Sequence, residues 1–150
     1  MSRRLAIPGV ARPWNTAWGV VKKVTDTSPQ TSIGAEADFS HPGGLTWTPT
    51  PGRLYYVSIE TGYVGISSPP GYAFLYICDA SNTHLQTFQA TCRAGTNDDA
   101  GIWSGGYYES FTTGASVTRK IRGSCTSGTY SLVASAQQPI LFVATVVGPA

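Results

Sequence analysis

The stretch Arg53–Glu60, RLYYVSIE, decides the fold. Tyr55, Val57 and Ile59 fall on one face, with Ser58 and Glu60 on the other. A period of two marks a half-buried β-strand. Ahead of it, residues 45–48 (LTWT) read as a short strand, stopped by Pro49 and Pro51-Gly52. Behind it, residues 62–71, with SSPPG at their end, predict a loop.

Working outward, the same grammar repeats. Residues 72–78 (YAFLYIC) are strongly apolar and read as an inner strand. Asp79-Ala80-Ser81-Asn82 supplies turn chemistry, because Asp and Asn side chains bond nearby backbone amides. Residues 83–93 return as a strand, placing Cys78 near Thr83 and Cys92 near Pro70. That register keeps Cys78 and Cys92 beyond the ~7 Å Cα separation of a disulfide. Residues 94–101 read as a loop, and 102–111 as a strand in which Gly105-Gly106 mark a bulge or a close backbone approach. Residues 116–122 form a strand, 123–128 a hairpin loop, and 129–135 and 140–147 the last strands. Toward the N-terminus, 18–25 is a strand, 26–34 a polar loop, and His41-Pro42-Gly43-Gly44 a turn. Turn signals recur about every 8–12 residues, the spacing of a sandwich or barrel. The expectation is an all-β chain: a single jelly-roll-like antiparallel β-sandwich of eight or nine strands over 16–150, behind an extended N-terminal arm, 1–15.

The closing stretch, ILFVATVV at 140–147, is apolar on both faces. Such a strand must be covered on both sides. One side meets the sandwich core, and the other needs a loop, another sheet or a second subunit; the subunit reading makes Ile140, Phe142, Val146 and Val147 candidates for an interface. The arm holds two prolines and ends near Trp14 and Trp18, rings too large to leave in solvent. Arg3, Arg4, Leu5, Ile7, Trp14 and Trp18 are therefore candidates for docking the arm on a neighbour.

Composition limits the function classes. A chain of 150 residues fits one domain. It can bury roughly 70% of its unfolded surface without a metal or disulfide. Ten basic residues face eight acidic ones, a net of +2, and they are scattered. That balance predicts no nucleic-acid partner. Three cysteines, Cys78, Cys92 and Cys125, argue against a closed disulfide framework and for reduced thiols. No apolar run has the length of a signal peptide or of a membrane span, so neither secretion nor a membrane partner is expected.

Catalytic chemistry finds no footing. His41 and His84 are the only imidazoles, and no two cysteines stand within four residues, so no metal or cofactor is expected. No Gly-x-Ser-x-Gly elbow occurs, and Asp98-Asp99 in a Gly/Asn-rich loop reads as turn chemistry. Arg119, Lys120 and Arg122 split across both faces of their strand and do not form one patch. No enzymatic activity is expected. Trp47, Trp103, Tyr107 and Tyr108 are candidates for stacking on saccharide rings, with core packing as the commoner use of such residues.

Several stretches carry a resemblance: 13–22 (PWNTAWGVVK), 46–48 (TWT), 51–57 (PGRLYYV), 82–86 (NTHLQ), 116–123 (SVTRKIRG), 128–132 (GTYSL) and 139–149 (PILFVATVVGP). Together they resemble the β-sandwich domains of minor tail and other virion proteins in actinobacterial phages, whose closing strand ends in Gly-Pro, here Gly148-Pro149. The strand order is also similar to the trimeric jelly rolls of the C1q and tumour-necrosis-factor type. The resemblance spans about 13–150 and rests on strand patterns. It implies a structural virion protein, trimeric, placed on the phage particle as a capsid decoration or small tail-associated protein. Its implied partners are copies of itself and capsid or tail proteins. The alternative is a host-surface or carbohydrate-binding adhesion module. A secreted lectin-like or C1q-like cellular protein is a more distant option, disfavoured by the odd cysteine count and the missing leader.

Overall fold

A computed structural model describes residues 19–61, 64–68, 70–92 and 104–150, which form twelve strands and no helix. In chain order they are β1 Gly19–Asp26, β2 Gln30–Ile33, β3 Ala37–Asp38, β4 Leu45–Trp47, β5 Arg53–Glu60 and β6 Val64–Ile66. Then follow β7 Gly71–Asp79, β8 His84–Cys92, β9 Ser104–Ser110, β10 Val117–Cys125, β11 Tyr130–Leu132 and β12 Ile140–Pro149. One sheet runs β1-β12-β5-β9, and the facing sheet runs β3-β10-β7-β8 with β4 also on β10. A small third sheet, β2-β11-β6, adds to them. Every pairing is antiparallel, and β7–β8 alone joins strands adjacent in sequence. This is the expected all-β sandwich, with the chain crossing between sheets at most connections.

Alternation builds the core. Tyr55, Val57 and Ile59 turn inward from β5, as their period requires, and Phe142 and Ala144 turn inward from the neighbouring β12. Leu75, Ile77 and Ile121 meet them from the opposite sheet. Each such side chain contributes about 1.5–3 kcal/mol when fully buried. Among the described residues, no helix is long and apolar enough to cross a membrane.

The structure departs from the sequence reading at three short strands and one long one. β2 and β6 lie where loops were expected, and β3 is two residues long. At two to four residues they offer too few positions for alternation to be read. β10 continues through Gly123 to Cys125, where a hairpin loop was expected. Gly123 is a packing position there. A Cβ on it would stand 2.5 Å from the Phe39 ring and 2.7 Å from the Tyr130 ring. Gly106 answers the question posed by the glycine pair. It keeps regular register with Ser58, while an added Cβ would sit 2.1 Å from the Val57 carbonyl oxygen, so the pair permits close approach and makes no bulge.

The β7–β8 turn is as its sequence suggests. The Asp79 carboxylate accepts hydrogen bonds from the Ser81 and Thr83 amides at 2.8 and 2.9 Å, and Asn82 takes a φ of 71°. Cys78 pairs with His84 and Cys92 with Gly71, which separates the two cysteines as the register implied. Neither Cys78 nor Cys125 forms a disulfide among the described residues, and burial pushes the Cys78 thiol up to about 11.

Candidate interaction surfaces

A polar junction ties the two sheets together at one end of the core. Glu109 of β9 and Arg119 of β10 belong to opposite sheets, and both side chains are nearly buried. Arg119 Nη2 donates to Glu109 Oε2 at 2.6 Å, and Arg119 Nε donates to the Tyr107 hydroxyl at 2.9 Å. The Tyr107 hydroxyl in turn donates to Glu109 Oε1 at 3.0 Å. The guanidinium carbon lies 5.8 Å from the Trp47 ring centre and 5.6 Å from that of Phe111, within cation–π reach. Burial works against the Arg119 charge, yet the hydrogen bonds and charges of Glu109 and Tyr107 together more than offset it and keep the group protonated. Burial, then the Glu109 charge, pushes the Tyr107 hydroxyl well above its usual range. The cluster is closed on itself and acts as a clamp between sheets.

The outer face of the β1-β12-β5-β9 sheet is different. Cross-strand register sets Val20, Thr145, Tyr56 and Tyr108 in one row across all four strands. The next row is Lys23, Val143, Ser58 and Gly106, and the third is Thr25, Leu141, Glu60 and Ser104. Lys23 and Glu60 are the only charged members of these rows. Val20 is 60% exposed and Tyr108 64% exposed, and the Tyr56 and Tyr108 rings pack at 4.8 Å.

The outer face of the β3-β10-β7-β8 sheet carries an aromatic row. Tyr72, Phe74 and Tyr76 occupy alternate positions of β7, with ring centres 6.3 and 6.2 Å apart. The His84 ring stacks on Tyr76 at 4.0 Å. Beside the row lies a charged network. Lys120 Nζ and Arg122 Nε donate to the two Asp38 carboxylate oxygens at 2.9 and 2.7 Å. Arg122 also donates to Glu36, whose Oε1 lies 2.9 Å from His84 Nε2.

Among the described residues, those singled out from sequence do not gather into the expected sites. Arg3, Arg4, Leu5, Ile7, Trp14, Trp18 and Trp103 lie outside the described residues. Ile140 and Phe142 are fully buried, and Val146 nearly so, in the core of their own chain, which corrects the expectation that they face a neighbour. Their inward partners decide this: Phe142 lies between Val24 and Ile59. Val147 sits at the β12 bulge and is half-buried. The three described aromatic residues among those proposed for glycan contact, Trp47, Tyr107 and Tyr108, do not share a surface. Trp47 is buried against Tyr55 and Phe111, Tyr107 turns inward to Arg119, and Tyr108 turns outward. Lys120 and Arg122 share a face opposite Arg119, as expected, but they are ion-paired. The Tyr72–Phe74–Tyr76 row was missed, although its period of two stands in the sequence YAFLYIC.

No family model and no curated protein matches the chain. Among solved structures, the Eiger TNF of S. frugiperda is 10% identical with a TM-score of 0.42, covering 85% of this chain and 95% of its own. Dimeric latent PorU of Porphyromonas gingivalis is 10% identical with a TM-score of 0.43, covering 89% of this chain and 14% of its own. The VP2 subviral particle of infectious bursal disease virus is 11% identical with a TM-score of 0.36, covering 95% of this chain and 43% of its own. The chain thus spans nearly all of the first and less than half of the other two.

Proposed function

We propose that this chain is a structural, non-enzymatic protein of a tailed-phage particle. In this reading it self-associates as a trimer through the outer face of the β1-β12-β5-β9 sheet. Residues 1–15 dock it on capsid or tail proteins. The observation that carries the reading is the row of exposed Val20, half-buried Thr145 and Tyr56 and exposed Tyr108, continued by the half-buried Val143 and Leu141 on a sheet whose other face is already core. A sheet face with few charges that leaves valine and tyrosine side chains in solvent is suited to contact with another protein surface. The resemblance of its strand patterns to phage virion domains supports the virion setting, and the resemblance of its strand order to trimeric jelly rolls supports the trimer.

Light scattering on the full chain at micromolar concentration tests it. The expected result is an oligomer that Tyr108→Glu together with Val143→Glu converts to a folded monomer. A monomeric parent chain overturns self-association. A parent oligomer that survives both substitutions overturns the choice of face. Absence of the chain from purified particles overturns the virion setting.

A further inference from the structure

We infer that the outer face of the β3-β10-β7-β8 sheet binds carbohydrate, with the Tyr72–Phe74–Tyr76 row as its stacking platform. The site is separate from the self-association face and does not rest on it, because the two lie on opposite outer sides of the sandwich.

Three features select the ligand class. The first is the row itself. Tyr72 remains 45% exposed, and Phe74 and Tyr76 are half-buried along the same strand face. Aromatic side chains offer an apolar body together with a polar tip. Sugar rings present the complementary combination, a C–H face beside hydroxyls.

The second feature is the rim. Cross-strand register places Thr91, Gln89 and Thr87 on β8 directly opposite Tyr72, Phe74 and Tyr76, and all three are exposed. On the other side, Ser124 stands opposite Phe74, and its hydroxyl lies 3.0 Å from that of Tyr76. Hydroxyl and amide groups therefore line the β8 flank of the rings, and the Ser124 hydroxyl and ion-paired Arg122 line the β10 flank. A protein partner's apolar core would leave these groups without hydrogen bonds, which is costly on burial.

The third feature is charge. An aromatic row beside lysine and arginine would also suit stacked bases, but single-strand binders need cations to meet the phosphates. Here Lys120 and Arg122 are already matched by Asp38 and Glu36. Two positive and two negative groups leave the cluster without surplus charge, so an uncharged, hydroxyl-rich chain fits better than a polyanion.

The test applies the full chain to a printed array of neutral oligosaccharides, with a single-stranded oligothymidine as the rival probe. The best soluble oligosaccharide is then titrated by calorimetry, one ligand molecule per site, so that avidity does not enter. Tyr72→Ala is expected to weaken binding about tenfold, the order of a lost aromatic contact, and Tyr72→Trp to restore it. Thr91→Lys, on the exposed strand opposite, is a second variant and is expected to weaken binding without touching the core. Unchanged melting temperatures show that the variants fold. Failure to bind any array member overturns the inference. So does unchanged affinity in Tyr72→Ala, or preferential binding of oligothymidine that fades with salt. A monomeric parent chain would refute self-association and leave this result untouched.

Discussion

Two central strands, β12 and β7, are each apolar on both sides, and the sandwich treats them differently. Inward, they are alike: Phe142 and Ala144 from one meet Leu75 and Ile77 from the other in a single core. Outward, β12 shows Leu141, Val143 and Thr145, flanked by Thr25, Lys23 and Val20 on β1 and by Glu60, Ser58 and Tyr56 on β5. β7 shows Tyr72, Phe74 and Tyr76 between rows of hydroxyls and a neutralised charge cluster. The difference teaches that surplus apolar surface comes in two chemical kinds. Aliphatic positions among scattered polar side chains suit another protein surface, whereas a row of rings with polar flanks suits a ligand that is itself part polar.

The comparison between inner and outer sides breaks most readily on β12. Phe142→Ala is expected to lower stability by about 3–5 kcal/mol, because it opens a cavity in a closed core. Val143→Ala, one residue on, is expected to cost the isolated monomer about 1 kcal/mol or less, since a half-exposed site leaves little void. Urea unfolding of both variants in the Tyr108→Glu background checks this without interference from association. Equal losses would mean that the outer side of β12 is as enclosed as the inner, and the face proposed for self-association would not be available.

The clamp between the sheets gives the next effect. Glu109→Gln removes the partner of a nearly buried Arg119 and leaves a buried charge poorly compensated, an expected loss of about 3 kcal/mol. Replacing both, as Glu109→Leu with Arg119→Met, is expected to cost less than the single change, because no charge is then left unpaired. Thermal or urea unfolding of the pair of variants distinguishes these. A double variant worse than Glu109→Gln would show that Arg119 stabilises mainly through Trp47 and Phe111 and that the ion pair is secondary.

How much of this the sequence discloses depends on how local the signal is. The inward set Tyr55, Val57 and Ile59 was legible because Ser58 and Glu60 contrast with it on the same strand. β12 lacks that contrast, so its two faces could not be told apart. The choice comes from neighbours far along the chain, with Phe142 between Val24 and Ile59 but Val143 between Lys23 and Ser58. Trp47 was placed among possible surface rings, yet β4 pairs with β10 and buries it beside Arg119. The Glu109–Arg119 clamp joins strands in different sheets, a relation that no periodicity encodes. The β7 row was written in plain alternation, but apolar residues at every position concealed which half of them faced out.

The smallest effect tests the charge balance of the second outer face. The hydrogen bond from Lys120, and then Arg122 beside it, hold the Asp38 carboxyl below its ordinary value of 3.8. A depressed value in the folded chain means that the unfolded chain takes up the proton first as pH falls. The stability from this group is therefore fully present above about pH 5 and fades as pH drops through 3.8 and below. Asp38 is 53% exposed at its side chain, so solvent screening limits the contribution to about 1 kcal/mol or less. Asp38→Asn is expected to lose that amount at pH 6 and to differ little from the parent at pH 2.5. The loss at pH 6 is expected to shrink in 0.5 M salt, where the Debye length falls to roughly 4 Å. Asp26 and Asp79, also held low by hydrogen bonds, contribute their own acid sensitivity to both proteins, so it is the difference between them that isolates Asp38. Urea midpoints across this range check it. Parallel curves for parent and variant would show that Lys120 and Arg122 are not neutralised by Asp38, and the face beside the aromatic row would then carry free positive charge suited to a polyanion.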